Sequence, residues 1–171
     1  MIIKTERLIM EPLGLKHLED YNTYASDYDN CKMMCYLPVD GIEESEKFLK
    51  GIEEEWANGC PNVYEFALML GDKNIGEMGL YNEDGKAELG WVLDPAYQGK
   101  GYAFEAAKAL VEWGHNELKY KDFIARCDSE NVPSYILMEK LGLKRVGENH
   151  DRKNRSSDEI RSEYSYEMHI D

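Results

Sequence analysis

The chain is short of positive charge. Its 171 residues carry 20 Lys and Arg against 34 Asp and Glu, a formal net charge of −14 at pH 7. So acidic a surface repels phosphate backbones, which disfavours nucleic acid as the main partner. A cationic partner suits it better, although acidity also serves solubility alone. Long apolar runs are missing too. No stretch approaches the roughly 18 apolar residues of a membrane span, and the opening Met1-Ile2-Ile3-Lys4-Thr5-Glu6-Arg7 lacks the apolar run of a secretory signal. The expected setting is therefore soluble and cytoplasmic, with no membrane partner. Cysteine is sparse: Cys31, Cys35, Cys60 and Cys127 make no disulfide scaffold in a chain this long. Cys31 and Cys35 lack a second Cys or His pair at zinc-like spacing, and His17, His115, His150 and His169 are scattered, so no metal is expected.

What is present reads as one domain over residues 1–171, with no repeat, linker or low-complexity tract. Residues 2–11 read as a strand ending at Pro12, residues 15–27 as a helix, and residues 43–57 as a second helix with Phe48, Ile52 and Trp56 on one face. Three strand-like runs follow, 63–70, 74–81 and 86–93. Gly71-Asp72-Lys73-Asn74 and Asp84-Gly85 supply the turns of a meander. A long helix over about 101–118 packs through Ala103, Ala107, Leu110, Gly114 and Leu118. Then come a strand at 123–127 and a short helix at 132–141, with Pro133 in its first turn and Gly142 at its C-terminal end. Strands at 143–146 and 164–170 close the chain around a polar loop, 148–159. This order gives a mixed α/β architecture, a sheet with helices on both faces.

The informative stretch is Glu88-Leu89-Gly90-Trp91-Val92-Leu93-Asp94-Pro95-Ala96-Tyr97-Gln98-Gly99-Lys100-Gly101-Tyr102-Ala103. A strand turns into a long helix through Gln98, Gly99, Lys100 and Gly101, with no Ser, Thr, Asp or Asn to cap the helix start. The first N–H groups of that helix then stay available at the positive end of its dipole, and the glycines let a ligand approach the backbone. Such a site suits an anion, a diphosphate above all. A P-loop requires Ser or Thr where Gly101 stands, and a Rossmann fingerprint requires glycine where Phe104 stands. A glycine turn selected only for helix–sheet packing is the other reading.

Gln98-x-x-Gly101-x-Ala103 after an Asp-Pro turn resembles the acetyl-CoA-binding signature of the GNAT N-acetyltransferases. Thr5-Glu6-Arg7-Leu8, Tyr36-Leu37-Pro38, Asn131-x-x-Ser134 and Glu139-Lys140-Leu141-Gly142-Leu143 are similar, in order, to segments of the branch that includes the ribosomal-protein alanine N-acetyltransferases. The resemblance implies the GNAT fold: a twisted, mostly antiparallel mixed sheet of about seven strands, splayed at its centre. It implies that the backbone of Trp91, Val92 and Leu93 would pair with the pantetheine arm of acetyl-CoA, and that an N–H there would polarise the acetyl carbonyl. Gln98, Gly99, Lys100, Gly101, Tyr102, Ala103 and Phe104 would wrap the pyrophosphate, and Asn131 would bond the cofactor arm.

The implied activity is transfer of an acetyl group to a primary amine, of a protein N-terminus or of a small cationic molecule. The amine must lose a proton, and the departing thiolate is better expelled beside a donor. Glu88, at the start of the central strand, is the first candidate base, with Glu148 in reserve. Many family members donate from a tyrosine seven residues after the motif asparagine; here that position is Met138, so Ser134 takes the expected role. Glu43, Glu44, Glu46, Glu53, Glu54 and Glu55 would attract a cationic acceptor if they face the cleft, or form a solvated helix face if they do not. A reading of a different class, a non-catalytic acyl-CoA-binding sensor or interaction module, rests on Met138 alone. Monomer and homodimer both stay open.

Overall fold

The computed structural model describes residues 1–59 and 62–171; Cys60 lies outside them. The first expected strand is two short ones, β1 (Ile3–Lys4) and β2 (Ile9–Pro12). Thr5 divides them: its N–H donates to the Leu8 carbonyl at 3.0 Å, and its hydroxyl accepts from the Leu8 N–H at 2.9 Å. A side chain that bonds its own backbone this way competes with the sheet ladder. The first helical region is likewise broken. A turn of 3-10 helix, Leu15–His17, leads into α1 (Leu18–Ala25). Asp27 then caps α2 (Tyr28–Cys31) by accepting from the Asn30 N–H. The second expected helix is α3 (Ile42–Ala57), with Ser45, Leu49 and Ile52 buried at helical spacing.

The meander is present as β3 (Val63–Leu70), β4 (Lys73–Glu83) and β5 (Lys86–Leu93). Asp84 and Gly85 both have positive φ, 50° and 87°, the pairing that closes a two-residue hairpin with the right twist. After β5 come α4 (Tyr102–Asn116), β6 (Asp122–Asp128), α5 (Val132–Leu141), β7 (Lys144–Lys153) and β8 (Ile160–His169). The first half of the polar stretch 148–159 is therefore strand. β7 runs to Lys153 and pairs Glu148 with Tyr164 and Arg152 with Arg161. Nearly all of its side chains are exposed, so it has no apolar face for a periodicity argument to detect.

Among the described residues the sheet has eight strands, in the order β1-β2-β3-β4-β5-β6-β8-β7. Only β5 and β6 run parallel, and they pair only at Ala87–Phe123 and Glu88–Ile124. Beyond Glu88 the strands part, while β5 stays paired with β4 along its whole length. Each face has its own core. One gathers Leu80, Leu89, Ala106, Ala107, Leu110 and Phe123 under α4; the other gathers Tyr21, Tyr24, Leu49, Ile52, Ala67 and Val92 under α1 and α3. Each fully buried Leu or Phe adds roughly 1.5–3 kcal/mol. Gly114 sets the approach of α4 to the sheet: a Cβ there would lie 2.8 Å from Leu80 Cδ1 and 3.2 Å from Phe123 Cε1.

Candidate active site

The parting of β5 from β6 leaves main-chain groups without a strand beside them. The Asp94 N–H donates to the Ile75 carbonyl at 2.9 Å. Antiparallel partners exchange bonds at alternate residues, so Val92, Gly90 and Glu88 spend their main-chain groups on β4. Trp91 and Leu93 turn theirs to the parted side. Val92 thus differs from the expectation: its main chain belongs to β4, and it borders the cleft without offering it an amide. The Leu93 carbonyl is taken by two side chains, Asn30 Nδ2 at 3.0 Å and Gln98 Nε2 at 3.2 Å, and Gln98 Nε2 also donates to Asn30 Oδ1 at 2.8 Å. Gln98 therefore fastens the end of β5, and Asn30 is a participant the sequence did not point to.

The helix start next to this edge is open. Gly101 is the residue before α4, with φ 84°, and no side chain caps it; Gly99 also has positive φ, 73°. Among the described residues no protein group accepts from the N–H groups of Gly99, Lys100, Gly101, Tyr102, Ala103 or Phe104. Arg7 braces the loop from outside. Its Nη1 donates to the Lys100 carbonyl at 2.9 Å, its Nε to Glu105 Oε2 at 2.6 Å, and its guanidinium lies 4.4 Å from the centre of the Tyr102 ring. Lys100 itself turns back, its ammonium donating to the Ala96 carbonyl at 2.9 Å.

A cleft of about 710 Å³ joins these parts. Trp91, Val92, Leu93, Gln98, Gly99, Gly101, Tyr102, Ala103, Phe104, Asn131 and Ser134 line it, so the structure brings together the expected cofactor residues apart from Lys100. Lys32 and Lys140 also border it, as do Asp27, Asp29 and Glu130, and Lys32 pairs with Asp29 at 3.3 Å. Asn131 caps α5 through its side-chain oxygen, which accepts from the Ser134 N–H at 3.4 Å. Met138 is buried and cannot donate a proton. Burial pushes the Cys127 thiol up to about 11, and the neighbouring Ser134 hydroxyl opposes that rise.

The expected bases are placed elsewhere. Glu88 is not among the cleft-lining residues; its Oε1 accepts from Arg126 Nη1 at 2.9 Å, and the same guanidinium holds Glu83 at 2.7 Å. Burial raises the Glu88 pKa and the positive charge of Arg126 opposes that rise. Glu148 lies on β7, outside the cleft. The acidic helix is partly spoken for. Glu44 pairs with Arg155 at 2.7 Å, Glu46 with Lys50 at 2.5 Å, and Glu53 accepts from the Leu15 N–H at 2.8 Å.

Two other acids went unnoticed in the sequence. Glu65 on β3 and Glu77 on β4 are only 3% and 8% exposed, on the sheet face that carries Val92. The Tyr81 hydroxyl donates to Glu65 Oε1, and the Oε2 atoms of Glu65 and Glu77 have no partner among the described residues. Burial pushes the Glu65 pKa up to about 7; burial and the charge of Glu65 raise that of Glu77 as well. The available signal was an acid set among apolar and glycine neighbours in each strand, Glu65 within 63–70 and Glu77 within 75–81.

Fold and cleft together are those of an N-acetyltransferase. The sequence model of the acetyltransferase (GNAT) domain matches residues 7–144. The uncharacterized N-acetyltransferase YnaD of Bacillus subtilis strain 168 is 36% identical over 154 residues, covering 86% of this chain and 85% of that protein. The crystal structure of a GNAT-family acetyltransferase from Bacillus anthracis superposes with a TM-score of 0.85 at 32% identity, over 99% of this chain and 98% of that one. RimL, a ribosomal L7/L12 alpha-N-protein acetyltransferase solved with coenzyme A, shares the fold with a TM-score of 0.88 at 16% identity, over 99% of this chain and 98% of its own. The chain belongs to the GNAT acetyltransferase family and is an acyltransferase. Among its described residues no helix is long and apolar enough to cross a membrane.

Proposed function

We propose that this enzyme, acting as one domain, moves the acetyl group of acetyl-CoA directly onto a primary amine, of a small cationic molecule or of a protein N-terminus. One observation carries the reading: the row of unpartnered amides from Gly99 to Phe104, ending beside the free edge of β5. Those amides, at the positive end of α4, would hold the pyrophosphate. Lys100 would join them by releasing the Ala96 carbonyl. Trp91, and Leu93 through its N–H, would pair with the pantetheine arm as an added strand does, and Asn131 would bond it through its free Nδ2. The N–H of Leu93 or Trp91 would hold the developing oxyanion. The nitrogen attacks the thioester carbon, the C–S bond breaks, and Ser134 donates a hydrogen bond to the departing thiolate. Glu88, outside the cleft lining and paired with Arg126, would take the amine proton through water.

Direct transfer fits the thiols. Burial pushes Cys31 up to about 12 and Cys127 up to about 11, and raises Cys35. None of these three is a ready nucleophile at neutral pH. The test pairs calorimetry of CoA binding with thiol release from acetyl-CoA over a panel of amines. Heat of binding together with amine-dependent thiol release is the expected result. Absence of CoA binding, or binding without turnover on any amine, overturns the proposal.

A further inference from the structure

The carboxylates of Glu65 and Glu77 take no part in the chemistry proposed above, yet their burial demands an explanation. An ionised carboxylate without a partner is costly to bury, so such groups are paired, bound to a cation, or kept protonated. Here the protein supplies little. Glu65 receives one hydroxyl, from Tyr81, and Glu77 receives nothing among the described residues. No lysine, arginine or histidine described here forms an ion pair with either.

Their position is specific. Glu77 is the register partner of Val92, which borders the cleft. Glu65 is the partner of Gly79, and Gly79 of Gly90. With no side chain at either glycine, the Tyr81 ring lies across them; a Cβ on Gly90 would meet it at 3.0 Å. That ring directs its hydroxyl to Glu65. Tyr21 and Tyr24 from α1 and Cys31 from α2 belong to the core on the same sheet face, and the charges of Glu65 and Glu77 act on both tyrosines. The surroundings are aromatic and acidic, which suits an alkylammonium group: its methylenes face rings and its charge faces carboxylate. Adjacent strands lie about 4.8 Å apart, so β4 and β3 are roughly 5 and 10 Å from β5, the reach of a short aliphatic spacer.

We infer that Glu65 and Glu77 form a cation subsite for the non-reacting ammonium of an aliphatic diamine or polyamine whose other amine meets the thioester. The inference rests on the acyl-transfer reading and narrows its acceptor to a small, flexible, multiply charged amine. Tyr81 holds Glu65 in place, and Glu77 presents the carboxylate nearer β5.

The test is calorimetric and needs no turnover. Putrescine and butylamine are titrated separately into the full-length protein saturated with CoA. Putrescine should bind at least about tenfold more tightly than butylamine, the equivalent of one charge-assisted contact. Glu77→Gln and Glu65→Gln should each reduce that preference to within about twofold, with CoA affinity reporting that the variants are folded. Equal binding of the two amines by the unmodified protein overturns the inference without recourse to any variant, and so does a preference that survives both substitutions. A parallel acetylation assay separates the two ideas. Carboxylate-dependent putrescine binding without acetylation sinks the acyl-transfer reading and leaves the subsite; acetylation of amines without a putrescine preference does the reverse.

Discussion

Replacing Gly101 by alanine tests the anion site at its weakest joint. Gly101 sits at φ 84°, ψ 0°, where an L side chain is strained, and a Cβ there would lie 3.3 Å from Arg7 Nη2, the flexible end of a long side chain. The strain alone is worth roughly 1–2 kcal/mol. In a chain of this size that corresponds to a fall in Tm of about 2–8 °C if the backbone holds its shape. If it relaxes instead, the amides from Gly99 to Phe104 lose their common aim. Each charge-assisted hydrogen bond lost to a diphosphate costs about 1.5–3 kcal/mol, so CoA affinity should drop by about tenfold or more. Gly85→Ala is the matched control. Gly85 has nearly the same φ, 87°, with nothing within 4 Å of its missing Cβ, but it lies in the β4–β5 turn. It should cost similar stability and leave CoA binding intact. Calorimetry with CoA and with pantetheine, which lacks the diphosphate, reads the difference. If Gly101→Ala weakens pantetheine as much as CoA, or if Gly85→Ala weakens CoA equally, the anion-site reasoning is wrong.

Gly114→Ala should overpack the α4–sheet contact. Collision with Leu80 and Phe123 costs about 1–3 kcal/mol and outweighs the gain of up to about 1 kcal/mol from helix propensity, so thermal unfolding should shift downward. Ser134→Ala should lower kcat by about 10- to 100-fold in a thiol-release assay, with CoA affinity kept; unchanged kcat would remove Ser134 from the mechanism. Glu65 sets a pH dependence. Its folded pKa of about 7 lies above its ordinary value of 4.5, so between those pH values the folded state binds the extra proton and stability falls as pH rises, levelling off above about 7. Glu65→Gln should reduce this fall by up to about 3 kcal/mol, leaving the part that burial of Glu77 contributes, and be more stable than the unmodified protein in alkaline denaturant melts. A slope that the substitution leaves unchanged would assign it to another group.

Much of this architecture was legible from local chemistry. Asp84-Gly85 announces a tight hairpin because few other residue pairs accept two positive φ angles in succession. Pro133 and Gly142 bracket α5 for equally local reasons, and the uncapped run into α4 could be read as an anion site from the absence of a side-chain acceptor. The misses are non-local. β7 is held by its ladder to β8 and not by burial, so its polar letters carry no strand signal. Asn30 acts on Leu93 from 63 positions away. Lys100 is diverted to the Ala96 carbonyl, and Glu88 is tethered by Arg126 from β6; neither choice is written in the residues beside it. Glu65 and Glu77 come together only when β3 and β4 pair.

The outermost strand has one more consequence. β7 leaves one whole flank of main-chain donors and acceptors open, the kind of rim along which sheets zip into fibrils. Its sequence, Lys144-Arg145-Val146-Gly147-Glu148-Asn149-His150-Asp151-Arg152-Lys153, sets charges of both signs along that rim, and two register breaks bend it. A second molecule docking there would have to strip water from those ions and match a crooked line. The feature that hid β7 from pattern reading is thus the one that keeps neighbouring molecules from growing onto it.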